Sequence, residues 1–253
     1  MSTSYNSLCD DFYLDMYINT ELDLPSERDT LLSFFERLQK HYPTMGNFFR
    51  RERGQFCLEE GRDNPDSSGY RWVTVETDRI GSGYVNPPDL KQAYEQDRLV
   101  LELVPYMLGV NHLDIDSLDV TFGMDFMYRG NHDEIIAEAF FEGNVFGCLL
   151  DLPHSRALGF SPTVLTAISE DCRTQARISV ESKTSCYEVR SERYTTEEPI
   201  SVYFTVRQYP APHEKFDALR SFDRQCELAE ELMAGKILPN IVRPLISAIA
   251  QRR

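Results

Sequence analysis

Residues 119–142 read DVTFGMDFMYRGNHDEIIAEAFFE, and the pattern of this stretch decides the fold. Val120, Phe122, Met124, Phe126 and Tyr128 alternate with Asp119, Thr121, Gly123, Asp125 and Arg129. A period of two is that of a half-buried strand, whose side chains point to opposite faces in turn. Gly130 then makes a turn. Asn131 stands where a helix N-cap belongs, with Glu134 three positions on as a capping-box partner. Ile135, Ile136, Ala139 and Phe140 follow at helical spacing.

The same grammar opens the chain. Phe12, Leu14, Met16 and Ile18 alternate with Tyr13, Asp15, Tyr17 and Asn19. Pro25 and Ser26 start a helix, with Asp29 as the partner of a Ser26 cap, and the helix ends before Pro43. Extended pieces are expected over 47–53, 55–60, 70–77 and 81–85, with GRDNPDSSG at 61–69 as a hairpin loop. Pro87 and Pro88 introduce a helix over 89–108, with Ala93, Leu99, Val100, Leu103 and Val104 as its buried face and Pro105 near its end.

The order then restarts with a strand over 118–128 and the helix from Asn131. Extended pieces are expected at 163–169, 173–181, 187–194 and 200–209, before a long helix over 213–234 with Gly235 as its C′ residue. Ile241, Val242, Leu245, Ile246 and Ile249 give a separate amphipathic helix after Pro239, which docks on this chain or on a second copy.

Strand, helix, several strands, helix, twice over, predicts an α+β fold. Internally duplicated β-α-β-β-β-β-α units would form one curved antiparallel sheet with helices on one face. The units are 1–110 and 111–235, followed by the C-terminal helix at 236–253. This element order resembles the two-lobed saddle of the TATA-binding proteins. The resemblance implies the saddle-shaped sheet, and with none of that family's motifs present it carries over no DNA-contacting residue.

Composition narrows the function classes. A net charge of −15 over 253 residues repels nucleic acid and anionic membrane on average. The six cysteines are scattered without a C-x-x-C pair, as reduced thiols of a cytoplasmic protein would be. The N-terminus lacks a signal peptide's basic and apolar regions, and no apolar run reaches the roughly 20 residues of a membrane span.

Gly130-Asn131-His132-Asp133 resembles one block of the calcineurin-like metallophosphoesterases, and the resemblance implies a metal-dependent hydrolase with this stretch at its site. The companion D-x-H, G-D and G-H-x-H blocks are missing, so His132 is read as part of a capped helix start. His112, Asp114, Asp116 and Asp119 form an acidic cluster without EF-hand spacing, and Asp63, Asn64, Asp66 and Ser67 are turn formers. No cofactor is expected.

The clearest signal is the placing of charge. Acids crowd the helices, whereas the strands carry Arg50, Arg51, Arg53, Arg71, Arg173, Arg177, Arg190, Arg193 and Arg207, with Tyr203 and Tyr209 among them. Arg173, Arg177, Arg190, Tyr203 and Arg207 are therefore the candidate binding residues of a sheet face. Such a face takes an anion, nucleic acid or an acidic partner, unless its arginines are spent on cross-strand pairs with Glu52, Glu181, Glu188 and Glu192. The expectation is a non-enzymatic binding or interaction protein, monomer or homodimer, whose partner is an unidentified protein or small molecule. Nucleic acid is disfavoured by the overall charge.

Overall fold

A computed structural model describes residues 5–51, 54–61, 69–195 and 197–252. Among them, nine strands form one antiparallel sheet in the order β2-β3-β4-β5-β1-β6-β9-β8-β7. The sheet is curved and unclosed. Its strands are β1 (Asp11–Thr20), β2 (Asn47–Arg50), β3 (Phe56–Glu59), β4 (Tyr70–Val75), β5 (Arg79–Val85), β6 (Ile115–Phe126), β7 (Thr163–Ala167), β8 (Thr174–Glu181) and β9 (Ile200–Gln208). From the central β1–β6 pair the order runs β5, β4, β3, β2 on one side and β9, β8, β7 on the other, so each half turns its last strand back against its first.

The sheet's alternation sets the core. Phe12, Leu14, Met16 and Ile18 of β1 and Leu118, Val120, Phe122 and Met124 of β6 are all buried on one face. Their register pairs Leu14 with Phe122 and Met16 with Val120, which builds a continuous apolar strip down the middle. Onto this side pack the helices. Phe34, Phe35 and Leu38 of α1 (Arg28–His41) are buried, and Phe35 lies 5.2 Å from the ring of Phe48 on β2. Val100 and Val104 of α2 (Leu90–Met107) and Phe222 and Ala229 of α5 (Ala218–Leu232) fill the centre.

The helices α2 and α5 share more than position. Asp89 and Asp217 cap them by accepting from the backbone N–H of Gln92 and Arg220. Each also sends a buried glutamine to the sheet: Gln96 donates to the carbonyls of Trp72 and Gly83, and Gln225 to those of Leu118 and Val206. The amide N–H groups use the second lone pair of strand carbonyls, whereas Oε1 of Gln96 is buried without a partner among the described residues.

Several expectations need correction. The segment expected to be extended at 187–194 contains a short helix, α4 (Cys186–Ser191), closed by a reciprocal capping box between Ser185 and Glu188. The second half therefore has one strand fewer than expected after its first helix. Asn131 does cap α3 (His132–Phe141), but Glu134 does not complete a box: it pairs with Arg252 at 2.9 Å. Glu27, not Ser26, precedes α1 and makes no side-chain cap. The long helix starts at Ala218 with Asp217 as cap, not at 213.

The expected break at Gly235 and Pro239 is absent. Helix continues from α5 through π-helical turns at Met233–Val242 into α6 (Arg243–Gln251). Pro239 lacks an N–H, and the wider turns accommodate that loss within one rod. Leu245, Ala248 and Ile249 of α6 are buried, and Arg252 bonds Glu134 and Glu138 of α3, so the C-terminal helix docks on its own chain. Ala218–Gln251 is long and apolar enough by composition to cross a membrane, a test that a core helix also passes. The turn-forming residues Asp63, Asn64, Asp66 and Ser67, with Glu52 and Arg53, lie outside the described residues.

Candidate functional site on the open sheet face

The side of the sheet away from the helices carries the odd-numbered residues of β1 and β6. Register aligns them into rows: Tyr13 with Gly123, Asp15 with Thr121, Tyr17 with Asp119 and Asn19 with Ser117. The rows continue onto β9, where Tyr203 faces Gly123, Thr205 faces Thr121 and Arg207 faces Asp119. On the other flank Asp15 faces Gly83 and Tyr17 faces Gly81, and both glycines face β4 at Trp72 and Thr74.

Glycines let aromatic rings lie flat on this surface. A Cβ at Gly123 would collide with the ring of Tyr13, and one at Gly83 with the indole of Trp72 and Oδ1 of Asp15. At Gly81 it would come within 2.8 Å of Cε1 of Tyr17 and 3.0 Å of the indole. A strand glycine is a usual mark of such close approach. The rings of Tyr17 and Trp72 sit 6.0 Å apart, as do those of Tyr13 and Tyr203. Tyr13 and Tyr17 flank Asp15 along β1, Trp72 lies on the far side of Gly83 from it, and Tyr203 extends the row beyond Tyr13.

Asp15 is the unusual group. It retains 9% exposure, and its buried Oδ1 has no hydrogen-bond partner among the described residues. Burial, with the nearby Asp125 charge, pushes its carboxyl from the usual 3.8 up to about 8. Asp125 is better served, accepting from Ser201 Oγ at 2.6 Å and from the Tyr13 hydroxyl at 3.4 Å, although burial raises its pKa as well. Burial also raises Tyr13 and Tyr17, so both stay neutral phenols. On the helix side, Asp97 of α2 is likewise buried beside Ser82, and burial raises its carboxyl well above the usual range.

Three arginines of this face are held by acids. Arg207 makes two 2.6 Å bonds to Asp119, Arg79 bonds Glu76 at 2.9 Å, and Arg51 lies 3.6 Å from Glu59. Arg79 also lies over the Tyr17 ring, 4.8 Å from its centroid.

Of the residues nominated from sequence, Arg177, Tyr203 and Arg207 share the open face. Arg177 is exposed on β8 and makes no ion pair among the described residues. Arg173 precedes β8, where its guanidinium is turned to the Pro210 carbonyl and to Asp171. Arg190 is a correction: it lies on α4, outside any strand, as do Glu188 and, at its C-cap, Glu192. Arg71 stacks on Tyr42 and Tyr84 on the helix side. Sequence reading missed Asp15, Tyr13, Tyr17 and Trp72. Their signal was an acid at the centre of an alternating aromatic row.

The GNHD stretch is built into structure. His132 Nε2 lies 3.0 Å from the Tyr128 carbonyl, and its Nδ1 accepts from the Lys183 N–H at 3.4 Å, so both ring nitrogens are engaged. Burial lowers its pKa, which favours the neutral ring these two bonds require. Asp133 accepts from the Phe160 N–H. The acidic cluster does not converge either: Asp114 caps a turn at Asn111, Asp116 accepts from Ser117, and Asp119 holds Arg207. A cleft elsewhere, between α3 and residues 143–157, is lined by Glu134, Glu138, Glu142, Asp151, Arg156 and Arg252. Its cations are already paired with acids: Arg252 with Glu134 and Glu138, and Arg156 with Glu192.

Compared with protein-family models and with curated proteins, the chain matches none.

Proposed function

We propose that this chain is a non-enzymatic binding protein that takes its ligand on the open face of the sheet. One observation carries the reading: Tyr13, Tyr17 and Trp72, with Tyr203 beside Tyr13, line a face that holds a buried carboxyl whose Oδ1 has no partner among the described residues. A buried acid without a partner costs stability. Surfaces that combine rings with one unsatisfied polar group are those on which a ligand completes the bonding.

Against an anionic or nucleic-acid ligand stands the pairing of Arg51, Arg79 and Arg207 with Glu59, Glu76 and Asp119. Against a hydrolase centred on His132 stands the engagement of both its ring nitrogens. A cytoplasmic setting belongs to the same proposal and is supported by six cysteines that form no disulfide among the described residues, which suits a reducing compartment.

The test compares two immobilised proteins, the wild type and a Tyr17→Ala/Tyr203→Ala double variant shown by circular dichroism to be folded. Both are presented with one extract of the native cell. The expected result is a species retained by the wild type and lost by the variant. Equal retention overturns the reading.

A further inference from the structure

We infer that Asp15 and the rings of Tyr13, Tyr17, Trp72 and Tyr203 form a subsite for an organic ammonium group, as carried by a quaternary or alkylated amine. This assignment rests on the open-face reading and specifies its ligand.

The chemistry follows from what is present and what is missing around Asp15. Its carboxyl leans over Gly83 beside the Trp72 indole, in the space a Cβ would occupy. Its neighbours along β1 are the phenol rings of Tyr13 and Tyr17, and Tyr203 lies across the strip at 6.0 Å from Tyr13. The facing charged groups are Asp125 on β6, Arg79 on β5 and Asp97 through the sheet on α2. Arg79 is bound to both oxygens of Glu76, and the charge acting on Asp15 is that of another acid. Among the described residues, no cation is paired with the Asp15 carboxyl.

A compact metal ion is a poor fit, because it needs several oxygen ligands at once and Asp15 is flanked by rings. An organic ammonium suits both halves of the site. Its charge neutralises the carboxylate, and its alkyl groups lie against ring faces, where the quadrupole attracts a cation. Binding stabilises ionised Asp15, so a proton leaves as the cation arrives and affinity rises with pH until Asp15 is ionised in the free protein.

Trp72 is the single tryptophan of the chain and reports directly on the site. Its emission is followed in the full-length protein during titration with choline chloride and, separately, with 3,3-dimethylbutan-1-ol, which has the same shape without the charge. The expected result is a saturable change with choline and at least tenfold weaker binding of the alcohol. Asp15→Asn keeps the shape of the side chain and is expected to abolish that preference. Choline affinity is expected to climb from pH 6 to 8 in the wild type and to stay flat in the variant. Tyr17→Leu, which keeps bulk and loses the π face, is expected to weaken choline several-fold more than the alcohol.

Equal binding of the two ligands, or a preference that survives Asp15→Asn, overturns the assignment. So does a neutral sugar such as glucose binding more tightly than choline. If neither probe binds while the Tyr17→Ala/Tyr203→Ala variant still loses what the wild type retains from extract, the ammonium assignment alone falls. If that difference is absent too, the open-face reading falls with it.

Discussion

Replacing Asp15 by Asn removes a charge from the interior and leaves the side chain's outline in place. Folding raises the Asp15 pKa from 3.8 to about 8, so the folded state prefers the protonated acid. The stability this group contributes is therefore fully present below pH 4 and is lost as pH rises through 8. Asp15→Asn should match the wild type near pH 4 and exceed it increasingly up to pH 8. A gain of about 1 kcal/mol would raise Tm by ~2–4 °C in a chain of this size. Thermal melts at several pH values check this, and a constant difference between the two proteins would contradict it. At Asn131 the opposite is expected, because its side chain both caps α3 and donates to the Ala157 carbonyl at 2.8 Å. Asn131→Ala should lower the urea-derived stability by about 1–3 kcal/mol, a cap's usual cost plus a buried carbonyl left unpaired. The Asn131 cap was legible in the sequence. The alternation of residues 11–20 also put Asp15 on one face with Tyr13 and Tyr17. What a local period cannot contain is that Asp15 stands opposite Gly83 and Gly83 opposite Trp72. Cross-strand register makes the site, and it joins residues far apart in the chain.

The elements differ in how plainly they announce themselves. β1 and β6 were readable because each sends its large aliphatic and phenylalanine side chains to one face and polar, tyrosine or glycine residues to the other, which fixes a strict alternation. At α4 an extended piece was expected over 187–194, yet Ser185 and Glu188 already spelled a capping box three residues apart. In so short a segment the cap outweighs β propensity. Pro239 misled in the other direction, since a proline need not end a helix whose turns widen to π geometry. Because α6 is the continuation of α5, its burial against α3 is expected to be indispensable. Ile237, Leu238, Val242, Leu245 and Ile249 are all buried, at roughly 1.5–3 kcal/mol each. Their combined loss rivals the whole net stability of an ordinary domain, about 5–15 kcal/mol. A chain ending at Gly235 should therefore show no cooperative thermal transition by circular dichroism. A sharp melt within a few degrees of the wild type would show that the rod's distal half is dispensable.

At the scale of the molecule, the α+β class and the curved antiparallel sheet were legible, because alternating strands punctuated by capped helices admit few other arrangements. The strand order was not, since nothing local says that β5 rather than β2 will lie against β1. That order also bears on the expected boundary near residue 110. The broadest contact in the sheet is the β1–β6 pair, which crosses it along almost the full length of both strands. Residues 1–110 expressed alone are expected to lack dispersed amide resonances, because Leu14, Met16 and Ile18 lose their neighbours on β6. A well-dispersed NMR spectrum from that fragment would show an autonomous first half. The same pairing has a consequence in time. β1 is made before the other strands, yet its partner β5 comes only after α1 and three strands, β6 only after α2 as well, and β6 in turn waits for β9. During synthesis each central strand thus exists for a while with bare edges and an apolar face, the state in which chains pair wrongly with one another. α6 follows every strand in the chain and seats against α3, so the core closes only after the whole sheet has been made.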